Sequence, residues 1–333
     1  MVRKDKAIGI VATGSFVPSK ILTNRDLEKI LDTTDEWIRT KTGIKERRIA
    51  ADDEATSDLA VKAAQAALQD GGVEPLDVNL IVLATSSPDM IQPPTACLVQ
   101  GRIGACNAAA FDIGAVCSGF VYALAIAADI MKENGAYNNA LVIGAETYSK
   151  ILDWTDRKTC VFFGDGAGAV VLSRIDKGYG IISSYLMADG RGWDIIKFPA
   201  GGTRFPASRE TVDRKMHTFQ MDGKKVWDFA VNAFPDAVLR ALKVCNLQLE
   251  DVDFIISHQA NALLIKTCMD RLGLPLEKTY INVNKYGNTS GASVAIALDE
   301  AVKLKKIKKD DIVVLVGFGG GLTWGAVVVR WGQ

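Results

Sequence analysis

The stretch Phe111-Asp112-Ile113-Gly114-Ala115-Val116-Cys117-Ser118-Gly119-Phe120, continued by the apolar run from Val121 to Ile130, decides how the chain is read. Ala109–Ile113 has the character of a strand, and small residues turn the chain out of it. From Gly119 to Met131 the only charge is Asp129. A helix apolar nearly all round has to be buried at the centre of a large domain. Lys132-Glu133-Asn134-Gly135 supplies its stop signal. Cys117 therefore opens a central helix, where free N–H groups and the helix dipole are expected to favour thiolate over thiol. Taken alone, a cysteine among Ala, Val and Gly is more often a small core residue. The rest of the chain decides between the two.

The chain has 333 residues, 48% hydrophobic and 23% charged, which suffices for two ordinary domains or one large fold with an ample core. Lys plus Arg equals Asp plus Glu at 39 each, so nothing points to a nucleic-acid surface. No apolar run reaches the ~18 residues of a membrane span. Met1-Val2-Arg3-Lys4-Asp5-Lys6 leads into a strand-like Ala7–Val11 without the pattern of a signal peptide. Six cysteines (97, 106, 117, 160, 245, 268) are scattered without a CxxC pair or metal-ligand spacing, so a cytoplasmic location and no metal are expected. Histidine occurs only as His217 and His258, which makes the search for histidine chemistry short.

The pattern of the first half starts again in the second. Asp77-Val78-Asn79-Leu80-Ile81-Val82 returns as Asp251-Val252-Asp253-Phe254-Ile255-Ile256, about 174 residues on. Ala140-Leu141-Val142-Ile143-Gly144 returns as Val313-Val314-Leu315-Val316-Gly317, about 173 on. Gly168-Ala169-Val170-Val171-Leu172 resembles Gly325-Ala326-Val327-Val328-Val329 at a shorter offset, as a missing counterpart to the loop Glu146–Lys158 would produce. Three matches in one order argue duplication. We expect two α/β halves, 1–178 and 179–333, each with a largely parallel sheet covered by helices. Two sheets sharing one buried helix layer make a five-layer αβαβα sandwich. Its central helices would be the one after Cys117 and the one through Ser290–Leu298, and its active centre would lie at strand ends where the halves meet.

Three further segments converge on that face. His258 follows the strand-like Phe254–Ser257, although a lone histidine there is usually structural. Asn288 stands in Gly287-Asn288-Thr289-Ser290, a turn feeding the second central helix, where an asparagine is ordinarily a turn or capping residue. The 173-residue offset pairs Cys117 with about Ser290, so the two turns are related. Gly317-Phe318-Gly319-Gly320-Gly321-Leu322-Thr323-Trp324-Gly325 is a strand-end turn whose glycines let a backbone N–H face a substrate oxygen. It is no phosphate loop, because a strand follows it and the Lys-Ser/Thr ending is absent. One shared site explains these segments more economically than separate structural roles.

The four motifs Ala115-Val116-Cys117-Ser118-Gly119-Phe120, His258-Gln259-Ala260-Asn261, Gly287-Asn288-Thr289-Ser290 and the glycine turn resemble, in order, the signatures of β-ketoacyl-[acyl-carrier-protein] synthase III. These are the initiating condensing enzymes of the thiolase superfamily, and the resemblance spans essentially the whole chain. It implies a duplicated thiolase-like fold, a homodimer and a reaction without a cofactor. Cys117 would take an acyl group from acyl-CoA, with the backbone N–H groups of Cys117 and Gly320 as oxyanion hole. Malonyl-[acyl carrier protein] would then lose CO₂, with His258 and Asn288 donating to the enolate, and the carbanion would attack acyl-Cys117.

The resemblance further implies that Trp37 and Arg157 sandwich the CoA adenine, with Asn261 along the pantetheine channel and Phe318 and Tyr148 at the acyl pocket. Trp37 reads equally well as a core aromatic following a helix cap. The chain departs from the family pattern in places. Lys41 replaces an arginine of the CoA site and loses its bidentate fork. Gln92 stands where an acetyl-selective relative has an aromatic wall, which suggests a longer or branched primer. Asp228 and Leu263 occupy positions often basic, leaving Lys224, Lys266 and Arg271 for carrier-protein docking. The rival readings are a specialised synthase III-like condensing enzyme or acyltransferase of secondary metabolism, a cysteine thioester hydrolase, and a silent acyl-CoA sensor. A hydrolase would want an acid orienting His258, whose neighbours Ser257 and Gln259 are neutral; a sensor has no reason to keep all four motifs.

Overall fold

The computed structural model describes residues 6–333; residues 1–5, with the start of the N-terminal reading, lie outside the described residues. In chain order the elements that build the site are β1 (Lys6–Phe16), α1 (Asp35–Thr42), α2 (Thr56–Gly71), β2 (Leu80–Ala84), α3 (Thr95–Ile103) and β3 (Ala109–Ile113). There follow α4 (Gly119–Glu133), β4 (Asn139–Glu146), β5 (Gly166–Asp176), β6 (Gly180–Ala188), α5 (Gly223–Val244) and β7 (Phe254–Ser257). The chain closes with α6 (Ala262–Leu272), α7 (Ser293–Lys303), β8 (Ile312–Gly319) and β9 (Thr323–Arg330).

One sheet has the order β1-β5-β4-β2-β3 and the other β7-β8-β9-β6. In the first, β3–β2 and β2–β4 are parallel while β4–β5 and β5–β1 are antiparallel. In the second, β7–β8 is parallel and β8–β9 and β9–β6 are antiparallel. The second sheet thus repeats the first without its edge strand. Where that strand would lie, a single parallel bridge joins Ile255 to Thr279. The sheets are mixed rather than largely parallel, because β4 returns to β5 through a loop with no crossover helix, and only a crossover permits a parallel neighbour.

The layers follow from the two-residue alternation of strands. Ile81 and Leu83 face outward onto α2 and α3, while Leu80 and Val82 face inward. In the second half Ile255 and Val314 pack outward with α5 and α6, and Ile256 and Leu315 face inward. The inner faces close on α4 and α7, whose Phe120, Leu124, Val294 and Leu298 are buried in one shared cluster. Burial of each such side chain contributes roughly 1.5–3 kcal/mol. The halves approach closely at two related glycines. A Cβ on Gly144 would collide with the Gly291 carbonyl oxygen, and one on Gly317 would stand 2.8 Å from the Ser118 Cα.

Candidate active site

The turn that carries Cys117 is a short 3₁₀ segment, Val116–Ser118, leading into α4. Val116 holds φ at +47°, a strained setting for a β-branched residue and typical of functional turns. The second half repeats the construction in Ser290–Ala292 ahead of α7, with Ser290 at φ +46°. The matching residues are therefore Val116 with Ser290 and Cys117 with Gly291. This corrects the expected pairing of Cys117 with Ser290 by one position. The correction matters because one residue on a helical turn redirects a side chain by about 100°.

The shift brings Ser290 to Cys117. Cys117 is 7% exposed, and its sulfur lies 3.3 Å from the Ser290 hydroxyl. Burial pushes the thiol up to about 12, the Glu146 carboxylate adds to the effect, and the Ser290 hydroxyl opposes it. Against the thiolate expected from the helix terminus stands this burial: desolvation outweighs the hydrogen bond at the sulfur.

His258 prolongs β7, its N–H donating to the Val316 carbonyl. Its Nδ1 lies 2.7 Å from the Ser293 hydroxyl, and its ring meets the edge of Phe318 at 5.2 Å. Burial lowers the imidazole to about 3, against a hydrogen bond with the Ser290 backbone, so the ring is neutral. The Ser293 oxygen also accepts the Gln259 N–H. With the Ser293 proton given to Nδ1, the ring keeps its own proton on Nε2 and acts as a donor there.

Asn288 is held by the first half of the molecule. Its N–H donates to the Phe162 carbonyl at 2.8 Å, and its carbonyl accepts from Gly164 at 3.1 Å. Its side-chain oxygen accepts the Ser290 N–H at 2.8 Å, which leaves the amide NH₂ as a donor toward the cavity that Asn288 lines. The glycine turn is tied to the Cys117 turn by Thr323, whose hydroxyl contacts those of Ser118 and the carbonyls of Ala115 and Gly320. A Cβ on Gly319 would stand 2.8 Å from both the Cβ and the N of Cys117. Gly320 lies beside Val116 and Ile196, about one residue further along the turn.

A cavity of about 390 Å³ leads to Asn288 and is lined by Trp37, Lys41, Met221, Asn261 and Leu264 among others. It unites three of the four residues assigned to the CoA site. Arg157 joins through Trp37, its guanidinium 5.6 Å from the ring centroid while it donates to the Asp32 carbonyl. A base inserted between them needs about 7 Å, two van der Waals contacts, so the pair is closed on itself and must part to admit one. Asn261 caps α6 through the N–H groups of Leu263 and Leu264 and donates to the Lys41 carbonyl. Its amide is thus engaged in local structure.

Tyr148 is fully buried, stacked on Phe163 at 4.8 Å, and Phe318 is 2% exposed against Phe234 and His258. Within the chain Gln92 stands apart from them, exposed beside Ile91 on the loop between β2 and α3. Lys224 and Lys266 are exposed near the cavity mouth, whereas Arg271 donates to Val231 and Asn232 and so links α6 to α5.

Sequence reasoning missed Glu146, Ser293 and the contact made by Ser290. Glu146 is fully buried at the end of β4 and accepts from the N–H groups of Ser86 and Gly291 and the hydroxyls of Thr85 and Ser87. An acid ending an apolar strand was the only signal. Among the described residues no group of three or more His, Cys, Asp or Glu could hold a metal ion, and no helix is long and apolar enough to cross a membrane.

Two family models match the chain: 3-oxoacyl-[acyl-carrier-protein] synthase III over residues 111–190 and the C-terminal region of the same family over 242–331. The chain is 56% identical over 327 residues to β-ketoacyl-[acyl-carrier-protein] synthase III of Caldanaerobacter subterraneus subsp. tengcongensis, covering 98% of each chain. It is 54% identical to the protein of that name in Clostridioides difficile, covering 97% of this chain and 98% of the other. The crystal structure of 3-oxoacyl-[acyl-carrier-protein] synthase III from Aquifex aeolicus superposes with a TM-score of 0.90 at 43% identity, covering 98% of this chain and all of that one.

Proposed function

The chain belongs to the β-ketoacyl-[acyl-carrier-protein] synthase III family, and from that premise we propose how its own residues perform the initiating condensation of fatty acid synthesis. The enzyme transfers an acyl primer from CoA to Cys117, then condenses it with malonyl-[acyl carrier protein], releasing CoA and CO₂. The observation that carries the assignment is the convergence of Cys117, neutral His258 and Asn288 on one buried centre, pinned through Ser290 and reached by the cavity.

Cys117 attacks the primer thioester, and the developing oxyanion is held by its own N–H and that of Gly320. Decarboxylation removes no proton from carbon, so the enolate needs only two neutral donors. The His258 Nε2–H and the Asn288 amide are such donors, and their neutrality suits them to it. Trp37, Lys41, Asn261 and, once it swings off Trp37, Arg157 hold the CoA and pantetheine arms. Tyr148 and Phe318 form apolar walls beside the acyl group. Lys224 and Lys266 face the acidic carrier protein in a cytoplasmic homodimer whose halves divide near residue 178. Replacing Asn288 with Ala should leave Cys117 acylation within about threefold and lower malonyl decarboxylation about 100-fold or more. Equal loss in both half-reactions would contradict the division of roles.

A further inference from the structure

Glu146 is a buried carboxylate that the condensation scheme does not use. It sits behind the nucleophile, where its backbone partners are the two turns Thr85–Ser87 and Ser290–Ala292. No lysine or arginine pairs with it among the described residues. The titratable groups facing it are Cys117 and Tyr148, with the His258 ring beyond the Ser290 backbone. Beside it are two fully buried hydroxyls, of Tyr148 and Ser86, the former near both Ser86 and the Ser290 hydroxyl. The hydroxyl of Ser290 stands 3.3 Å from the Cys117 sulfur and also stabilises the Glu146 carboxylate. Ser290 thus touches a reacting atom on one side and lies beside an acid on the other, the next residue, Gly291, donating its N–H to that acid at 3.3 Å.

We propose that Ser290 and Glu146 form a proton relay for Cys117, with Glu146 acting through Ser290 as the store of the thiol proton during acylation. It rests on the nucleophile assignment above. The step balances without another reactant. The S–H bond of Cys117 breaks as its electron pair attacks the thioester carbonyl, and the proton passes to the Ser290 oxygen. The proton already on Ser290 moves to a Glu146 oxygen, leaving a neutral carboxylic acid. When the bond to the CoA sulfur breaks, the same pair runs in reverse and the departing thiolate takes the proton. The relay answers a difficulty of the resting site: the thiol is held up to about 12, and the neutral His258 is bound elsewhere through Nδ1. Burial raises the Glu146 carboxyl to about 7 against its hydrogen bonds, which sets its basicity near neutral pH. Only ionised Glu146 accepts a proton, so the acylation rate should climb as pH rises through about 7 and level off above it.

The test is single-turnover acylation of Cys117 by acetyl-CoA, followed by intact mass between about pH 5.5 and 9. The native protein should show an inflection near 7. Ser290→Ala and Glu146→Gln should each lose that inflection and run about 100-fold slower at pH 8, while Glu146→Asp should retain an inflection. Ser290→Ala stands on its own if Glu146→Gln does not fold, since it leaves the carboxylate's backbone bonds in place. Either folded variant keeping the native inflection overturns the relay, whatever its rate, because a structural role would lower the rate without removing the titration. Native protein that acquires no acyl group on Cys117 overturns the condensing reading, and the relay with it.

Discussion

Two turns of this molecule share a backbone and differ in everything that does chemistry. Val116–Ser118 and Ser290–Ala292 both open with a residue at positive φ, both form one 3₁₀ turn, and both lead into a central helix. In the first the second residue is Cys117, and what stands against it is Gly319, which contributes no side chain. In the second it is Gly291, and what stands against it is the carboxylate of Glu146. By the repeat of β4 in β8, Gly319 and Glu146 occupy matching positions. One turn sets a nucleophile against a bare glycine; the other sets a bare glycine against a carboxylate. The duplication therefore yields a single active centre, with the second turn converted into its support. Ser290 reaches the nucleophile from that second turn, with Asn288 bound to its N–H just ahead of it, which explains why neither half holds the site alone.

Filling the side that faces Cys117 is the severest way to break this contrast. Gly319→Ala places a methyl group 2.8 Å from both Cys117 N and Cβ, atoms that cannot swing away. Displacing the nucleophile by even a fraction of an ångström should cut Cys117 acylation about 100-fold, measured by single-turnover mass spectrometry. The matching change in the second turn should do much less. Gly291→Ala brings a methyl group 3.0 Å from a Glu146 carboxylate oxygen and 3.2 Å from the Val116 carbonyl. Gly291 is not at positive φ and the carboxylate can turn, so acylation should fall by about tenfold or less. Comparable losses in the two variants would contradict the division between a working turn and a supporting one.

Much of this was legible from residue types and spacing. Cys117, His258 and Asn288 stood out because each lies at a strand end or in a turn feeding a helix that is apolar all round. The repeat was visible because strands buried on both faces keep continuous apolar runs, as in Leu80–Ala84 and Phe254–Ser257. The register of the two turns was legible only to within one residue, because the offset shifts from 174 to 173 along the chain; Ser290 was therefore placed opposite Cys117 instead of beside it. The antiparallel return from β4 to β5 was hidden, since a loop of that length can carry a helix. Glu146 was missed because its partners, Ser86 and Gly291, are 60 and 145 residues away. The burial that opposes a Cys117 thiolate was hidden for a related reason. A helix terminus is a local feature that sequence reveals, but the desolvation that outweighs it is set by the packing of both halves.

The most direct test of the whole account is intact-protein mass with peptide mapping after incubation with acetyl-, isobutyryl- and octanoyl-CoA, followed by a chase with malonyl-[acyl carrier protein]. The account predicts one acyl group, on Cys117, absent from Cys117→Ala and discharged by the chase into β-ketoacyl-[acyl carrier protein]. An acyl group on another residue, or one that survives the chase unchanged, would contradict it.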